Sequence, residues 1–354
     1  MTHGTPLARR SKTLSASLGL GEKLFASSEE RRFADAIEAG LADVEAGLLR
    51  EVGFADDMAD VASRYLLEAG GKRIRPVLTL LTAQLGEGNN PAVITAAQAI
   101  EITHLASLYH DDVMDEAEMR RGVPSAQNVW GNSVAILTGD LLFARASKLV
   151  ASLGEGAIKL QADTFERLCL GQLHETIGPR IDDDPIEHYL TVLADKTGSL
   201  ISAAAQMGVI FSHAPQEFAE PVVAFGEKIG VAFQLIDDVI DLSEPDSDTG
   251  KAQGTDLRSG VATLPLLYLR RAAVTDAAAS ALLDRIEQHV VGGGDERELA
   301  AAIAELREHP VTEETLEEAR RWADDAVAAL APLPNGPVTK ALTKFAEAVV
   351  DRSK

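Results

Sequence analysis

Apolar residues recur three and four positions apart along most of the chain, the spacing that lines one face of a 3.6-residue helix. EERRFADAIEAGLADVEAGLLREV, from Glu29, reads as one such helix. NPAVITAAQAIEITHLASLYHDDVMDEA, from Asn90, has Pro91 at a first-turn position and then runs on without Gly or another Pro, so it predicts a long helix. SVAILTGDLLFARASKLVASL, ADTFERL and PVVAFGEKIGVAFQLIDDVIDL repeat the pattern from Ser133, Ala162 and Pro221. Alternating β-branched runs bounded by turns are missing, which predicts no sheet. The C-terminal third is Ala-rich and helical. It breaks at Gly292, Gly293 and Gly294, and Asp295 with Glu298 three residues on resembles a capping box that restarts it. Pro332, Pro334 and Pro337 mark the loop before a final helix. No linker or fixed-period repeat divides the chain. The pattern predicts an all-α, single-domain helical bundle over residues 26–354, preceded by a loose tail at residues 1–25.

Composition narrows the partners. The chain has 354 residues and a single cysteine, Cys169, so a disulfide framework is excluded and a reducing cytoplasm is expected. Lys+Arg total 33 against 55 Asp+Glu, a net charge of −22. Such a surface repels phosphate backbones and anionic lipid, so neither nucleic acid nor an electrostatic membrane dock is expected. No apolar run reaches the roughly eighteen residues of a membrane span. The N-terminal MTHGTPLARRSKTLSASLGL is too broken by Ser and Gly to read as a secretory signal.

One pattern stands out against this background. HDDVMDEA holds Asp111, Asp112 and Asp115, and IDDVIDLS holds Asp237, Asp238 and Asp241, each as Asp-Asp-x-x-Asp. On a helix, positions i and i+4 share a face, so Asp111 faces with Asp115 and Asp237 with Asp241. Like charges at that spacing repel, and the apolar flanks ITHLASLY and VAFQLI raise the cost through burial. A divalent cation removes it. Oxygen-only ligands without cysteine favour Mg²⁺, which completes its shell with water and substrate phosphate oxygens. Other acidic runs carry no such meaning. In IDDDPIEHY, Asp184 reads as a cap, Pro185 as the first turn and Glu187 as a dipole partner, and Asp324–Asp325 reads as a solvated face.

Basic residues flank both clusters. GGKRIRP supplies Lys72, Arg73 and Arg75 beside a helix start near Pro76, a setting suited to a diphosphate. Arg120 and Arg121 follow the first cluster, Lys196 and Thr197 lie in DKTGS, and Lys251 follows the second cluster in GKAQGTDL. GGKRIRP, HDDVMDEAEMRRG, GQLHE, DKTGSL, FQLIDDVID and GKAQGTDLRSGVATLPLLY, in this order over roughly residues 40–270, resemble the all-trans isoprenyl (polyprenyl) diphosphate synthases.

The resemblance implies an all-α bundle around a deep central cavity, usually a homodimer. Its expected reaction is head-to-tail prenyl transfer, in which an allylic diphosphate ionises, its carbocation attacks isopentenyl diphosphate, and the departing diphosphate takes the proton. Matching the motifs puts Asp111, Asp115 and Asp237 on three Mg²⁺ ions, with Asp112, Asp238 and Asp241 in support. Arg120, Lys196 and Lys251 are implied contacts of the allylic diphosphate, and Lys72, Arg75, His104 and Arg121 of isopentenyl diphosphate. Thr197 and Gln234 would turn oxygen dipoles to the developing cation. His104, read alone, also fits a satisfied core histidine. One departure is Val261, where many members carry a diphosphate-binding lysine; either Lys251 and Lys196 suffice or allylic binding is weaker, and a partner subunit of a heteromeric synthase is the further alternative.

Chain length follows from the helix before the first cluster. One turn rises about 5.4 Å, close to one prenyl unit. The positions four and five before Asp111, where short-chain members carry an aromatic, are Ser107 and Ala106, and Thr103 and Ile102 lie a turn deeper. The expectation is a long product, heptaprenyl to decaprenyl, of the kind that feeds quinone side chains. A farnesyl or geranylgeranyl synthase is the shorter alternative. A terpene cyclase would lack GGKRIRP and the second Asp-Asp-x-x-Asp.

Overall fold

Local side-chain chemistry starts several helices of the computed structural model, which describes residues 27–243, 253–292 and 295–353. The expected loose tail at 1–25 and Lys251 lie outside the described residues. Helix α1 (Ser28–Glu51) opens on a capping box: Ser27 Oγ accepts from Glu30 N at 3.1 Å and Glu30 accepts from Ser27 N at 3.0 Å. Asp56 caps α2 (Asp57–Glu68), and α3 (Ile74–Ala83) follows. Asn90 caps α4 (Pro91–Met114), whose first residue is the proline the sequence placed there. The described residues group into two compact units: the chain up to Glu166 with Leu200–Gly226 and Ala329–Phe345, and Arg167–Ser199 with Glu227–Ala328 and the chain from Ala346.

In the first unit α4 is buried on almost every side, packed against α1, α3 and α6 (Asn132–Leu153). The expected absence of sheet needs correcting. Met119–Arg120 (β1) pairs antiparallel with Val123–Pro124 (β2). The turn residues Arg121 (φ 54°) and Gly122 (φ 77°) both have positive φ, as the tight hairpin turn of type I′ requires. Two-residue strands are too short to show alternation, so the pattern could not reveal them. Helices α5 (Ala126–Trp130), α6 and the start of α7 (Glu155–Ile177) continue this unit. Thr79 and Thr82 of α3 donate to Ala204 and Ala205 carbonyls at 2.9 Å on a later helix, Ser199–Phe211. Gly208 makes that approach possible: a Cβ there would lie 2.0 Å from Thr82 Oγ1 and 2.3 Å from the Thr79 carbonyl.

The second unit takes α8 (Pro185–Leu193) and the π-turn Ala194–Gly198, which leads into α9 (Ser199–Phe211). Asp184 caps α8, accepting from Ile186 N and Glu187 N, as the sequence indicated. The C-terminal half of α10 (Ala219–Asp241) follows, then α11 (Thr255–Arg258), α12 (Leu264–Ala273), α13 (Ala277–Gly292), α14 (Glu296–Glu308) and α15 (Pro310–Ala329). Its core is built on Leu235, Ile236, Leu242, Leu264, Leu269, Ile286 and Ile303. Asp295 caps α14 as expected, but Glu298 turns to His289 Nε2 at 3.1 Å. Pro337 starts α16 (Pro337–Val350), and a 3₁₀ turn, Asp351–Ser353, ends the described chain. No described helix is long and apolar enough to cross a membrane.

Replacing Gly208 with Val should destabilise the fold by about 1–3 kcal/mol through overpacking against α3, read as a lowered denaturant midpoint at unchanged slope.

Candidate active site

Both aspartate triads sit at the carboxyl end of an apolar helix. In the first unit, Asp111 is half-buried on the last turn of α4, Asp112 is fully buried, and Asp115 is exposed at the C-cap. The helix closes one residue earlier than an i, i+4 helical pair would need, and Asp115 N–H donates to the Asp111 carbonyl at 2.8 Å. Carbonyls at this end carry partial negative charge, so the carboxylates are crowded onto the pole that repels them most. Arg120, delivered by β1, answers part of that charge: its Nε lies 2.6 Å from Asp112 Oδ1. Asp112 Oδ2 is buried without a partner, and burial pushes this carboxyl above the usual range despite Arg120.

The basic residues divide into two kinds. Arg73 is almost fully buried in a left-handed conformation (φ 54°), bonded to Glu101 Oε1 at 3.1 Å and to the Gly70 and Leu67 carbonyls. A Cβ on Gly71, itself at φ 151°, would sit 2.4 Å from Arg73 Nη1, so glycine is required there. Arg73 therefore builds the loop, whereas the sequence had grouped it with Lys72 and Arg75 as cations suited to a diphosphate. Arg75, on the first turn of α3, keeps a buried Nε without a partner. Arg121 donates to the Leu66 carbonyl at 2.7 Å. Burial lowers both guanidinium pKa values to about 10, opposed by Glu101, so both stay charged at neutral pH. His104 is held neutral, first by burial and then by the positive fields of Arg75, Arg121, Arg120 and Arg73. Lys72 stands exposed on the loop ahead of α3.

Down the same helix, Ala106 and Ser107 are buried, and Ser107 Oγ donates to the His104 carbonyl at 2.9 Å. Ile102 and Thr103 are buried one turn further, where Thr103 donates to the Ala99 carbonyl and accepts from Gln161 Nε2 at 3.4 Å.

In the second unit, Asp237 and Asp241 lie on the last turns of α10 with Gln234 on the same flank. Asp238 is buried and accepts from Tyr189 Oη at 2.7 Å and Leu264 N at 3.4 Å; burial raises its carboxyl well above the usual range. Asp241 accepts from Asp256 N at 3.1 Å. Lys196 and buried Thr197 lie in the π-turn, a departure from regular helix that is frequent at functional sites. Gly171 admits the turn, since a Cβ there would be 2.6 Å from Lys196 N. Lys196 Nζ donates to Glu175 at 2.5 Å. Val261 N–H donates to the Asp256 carbonyl, and its side chain has no polar atom to offer an anion. Asp237 receives Arg352 Nη2 at 2.8 Å.

Sequence reasoning missed Glu101, Gln172, Glu175, Tyr189 and Arg352. Gln172 is buried with Oε1 unpartnered. A lone charge inside the apolar helix was the signal that could have found Glu101, and GQLHE contained Gln172 and Glu175; nothing local pointed to Arg352. Among the described residues no three His, Cys, Asp or Glu side chains converge on one point. The donors are nevertheless hard oxygens, one of them the orphaned Asp112 Oδ2, and they suit magnesium that takes few carboxylates and fills its shell with water and phosphate oxygens.

Residues 56–304 match the family described as Polyprenyl synthetase, and the chain belongs to that family. It is thus a polyprenyl diphosphate synthase, a prenyltransferase. It is 43% identical over 346 residues to a nonaprenyl diphosphate synthase of Mycobacterium tuberculosis, covering 97% of this chain and 99% of that one. The crystal structure of a Caulobacter crescentus polyprenyl synthase complexed with calcium and isoprenyl diphosphate superposes with a TM-score of 0.82 at 30% identity, covering 92% and 98%. That of a Corynebacterium glutamicum geranylgeranyl pyrophosphate synthase, also with calcium and isoprenyl diphosphate, gives 0.75 at 40%, covering 90% and 96%.

Glu101→Ala would strand the buried Arg73 charge and should cost about 3–5 kcal/mol in chemical denaturation, whereas mutating both partners to apolar residues should recover most of it. His104 makes a pH prediction. Its folded pKa lies well below the ordinary imidazole value of 6.5, so the unfolded chain binds the extra proton and this contribution to stability is lost as pH falls through 6.5. The stability of the metal-free chain relative to His104→Gln should therefore decrease from pH 7 to pH 5; an unchanging difference would contradict a neutral His104.

Proposed function

We propose that the chain condenses isopentenyl diphosphate head-to-tail onto an allylic diphosphate, repeatedly, to make a long-chain all-trans polyprenyl diphosphate, heptaprenyl to decaprenyl, for quinone side chains. The observation that carries this reading is the pairing of acid with base in each unit: an Asp-Asp-x-x-Asp triad at a helix end with arginine or lysine beside it. Asp111, Asp115 and Asp237 are the proposed ligands of about three magnesium ions, with Asp112, Asp238 and Asp241 orienting them. Bound magnesium draws charge from the leaving diphosphate.

Arg120 and Lys196 hold the allylic diphosphate in this reading, with Lys251 from outside the described residues. Each of the two described cations already has a carboxylate partner, Asp112 or Glu175, that fixes its direction. Lys72, Arg75, Arg121 and His104 hold isopentenyl diphosphate. A neutral His104 can donate a hydrogen bond without adding charge, and the unpartnered Nε of Arg75 is a donor awaiting an acceptor. Thr197 and Gln234 direct oxygen dipoles at the developing carbocation. The working form is a homodimer.

Small residues at Ala106 and Ser107, with the identity to the nonaprenyl synthase, support the long product. The 40% identity to the geranylgeranyl pyrophosphate synthase supports the shorter one. Purified chain with Mg²⁺, isopentenyl diphosphate and farnesyl diphosphate decides between them by chromatography of the products. Seven to ten prenyl units are expected, and arrest at farnesyl or geranylgeranyl would overturn the long-chain assignment. Activity of the chain expressed alone separates a complete enzyme from a partner subunit. Ala106→Phe should shorten the product. Asp111→Asn and Asp237→Asn should each lower kcat by about 10²–10³ without unfolding the chain.

A further inference from the structure

We infer that Arg352 is the resident counter-ion of the second aspartate triad and competes with a divalent cation for Asp237. The inference rests on the reading of Asp237 as a metal ligand. Asp238 accepts from Tyr189 and the Leu264 N–H, and Asp241 from the Asp256 N–H. Asp237 receives a full positive charge from the last turn of the described chain, with Arg352 Nη2 2.8 Å from Oδ1.

That guanidinium is aimed by more than one contact. Its Cζ lies 4.3 Å from the centre of the Phe233 ring, one helical turn before Asp237 and on the same face. Nη1 is buried with no partner, so the guanidinium is not fully satisfied where it sits. A metal ion bonds a carboxylate oxygen at about 2.0–2.1 Å, and two cations on one carboxylate repel each other. Metal entry therefore displaces Arg352, whose charge is then left beside the triad without its carboxylate. A diphosphate arriving with the metal supplies the missing anion. Arg352 thus weakens metal binding in the absence of diphosphate and ties loading of this triad to the arrival of substrate.

The test titrates Mn²⁺ as the probe, with free ion read by electron paramagnetic resonance, against wild type, Arg352→Gln, Arg352→Lys, Asp237→Asn and the Arg352→Gln/Asp237→Asn double variant. Circular dichroism checks that each is folded. Arg352→Gln should tighten Mn²⁺ binding about threefold to fivefold, the scale of removing one partly exposed ion pair. Arg352→Lys should stay near wild type, the double variant should lose the gain, and inorganic pyrophosphate should narrow the gap between wild type and Arg352→Gln. If Asp237→Asn weakens Mn²⁺ binding but Arg352→Gln leaves it unchanged or weaker, the competition is disproved and the metal assignment stands. If Asp237→Asn binds Mn²⁺ as wild type does, both fall together.

Discussion

Carboxylates gathered at the negative pole of a helix are the constraint around which this protein is arranged. Asp111, Asp112 and Asp115 end α4, and Asp237, Asp238 and Asp241 end α10. Each adds its charge to carbonyls already carrying partial negative charge, inside helices otherwise devoted to the core. Such an arrangement persists only if positive charge is always at hand. The chain supplies some of it through Arg120 on Asp112 and Arg352 on Asp237. In the proposed reading divalent metal supplies the remainder, and the same crowding would hold ions against a leaving diphosphate.

The positive side of the chemistry is organised by burial. Arg73 and Glu101 neutralise each other in the interior and fix the glycine-rich loop, leaving Arg75 and Arg121 to face His104 with charge to spare. A cluster of like charges this close would be untenable on its own. Glu101 opposes the lowering of the Arg75 and Arg121 pKa values, and His104 adds no charge because burial keeps it neutral. The same neighbours would favour an anion, which supports the proposed diphosphate-binding role of this region.

Much of this was legible in the chain before folding was considered. The helices, the caps at Asp184 and Asp295, Pro91 at the head of α4 and the two triads are local features, set within one or two turns, and periodicity reports them directly. The β1–β2 hairpin was illegible because two residues per strand leave no alternation to detect. GGKRIRP offered Lys72, Arg73 and Arg75 together as cations, and nothing local showed that Arg73 would be buried against Glu101.

By itself the sequence determined the helical class, the acidic motifs and the small residues at Ala106 and Ser107, because each depends on residues near one another along the chain, and the order of those local motifs carried the family. Only the tertiary structure decided that Arg73 belongs to Glu101, Lys196 to Glu175 and Arg352 to Asp237. Those pairings close loops of tens to more than a hundred residues. Which charge meets which is then chosen by how the helices pack and by what burial leaves unsatisfied, and neither is written in any single stretch of residues.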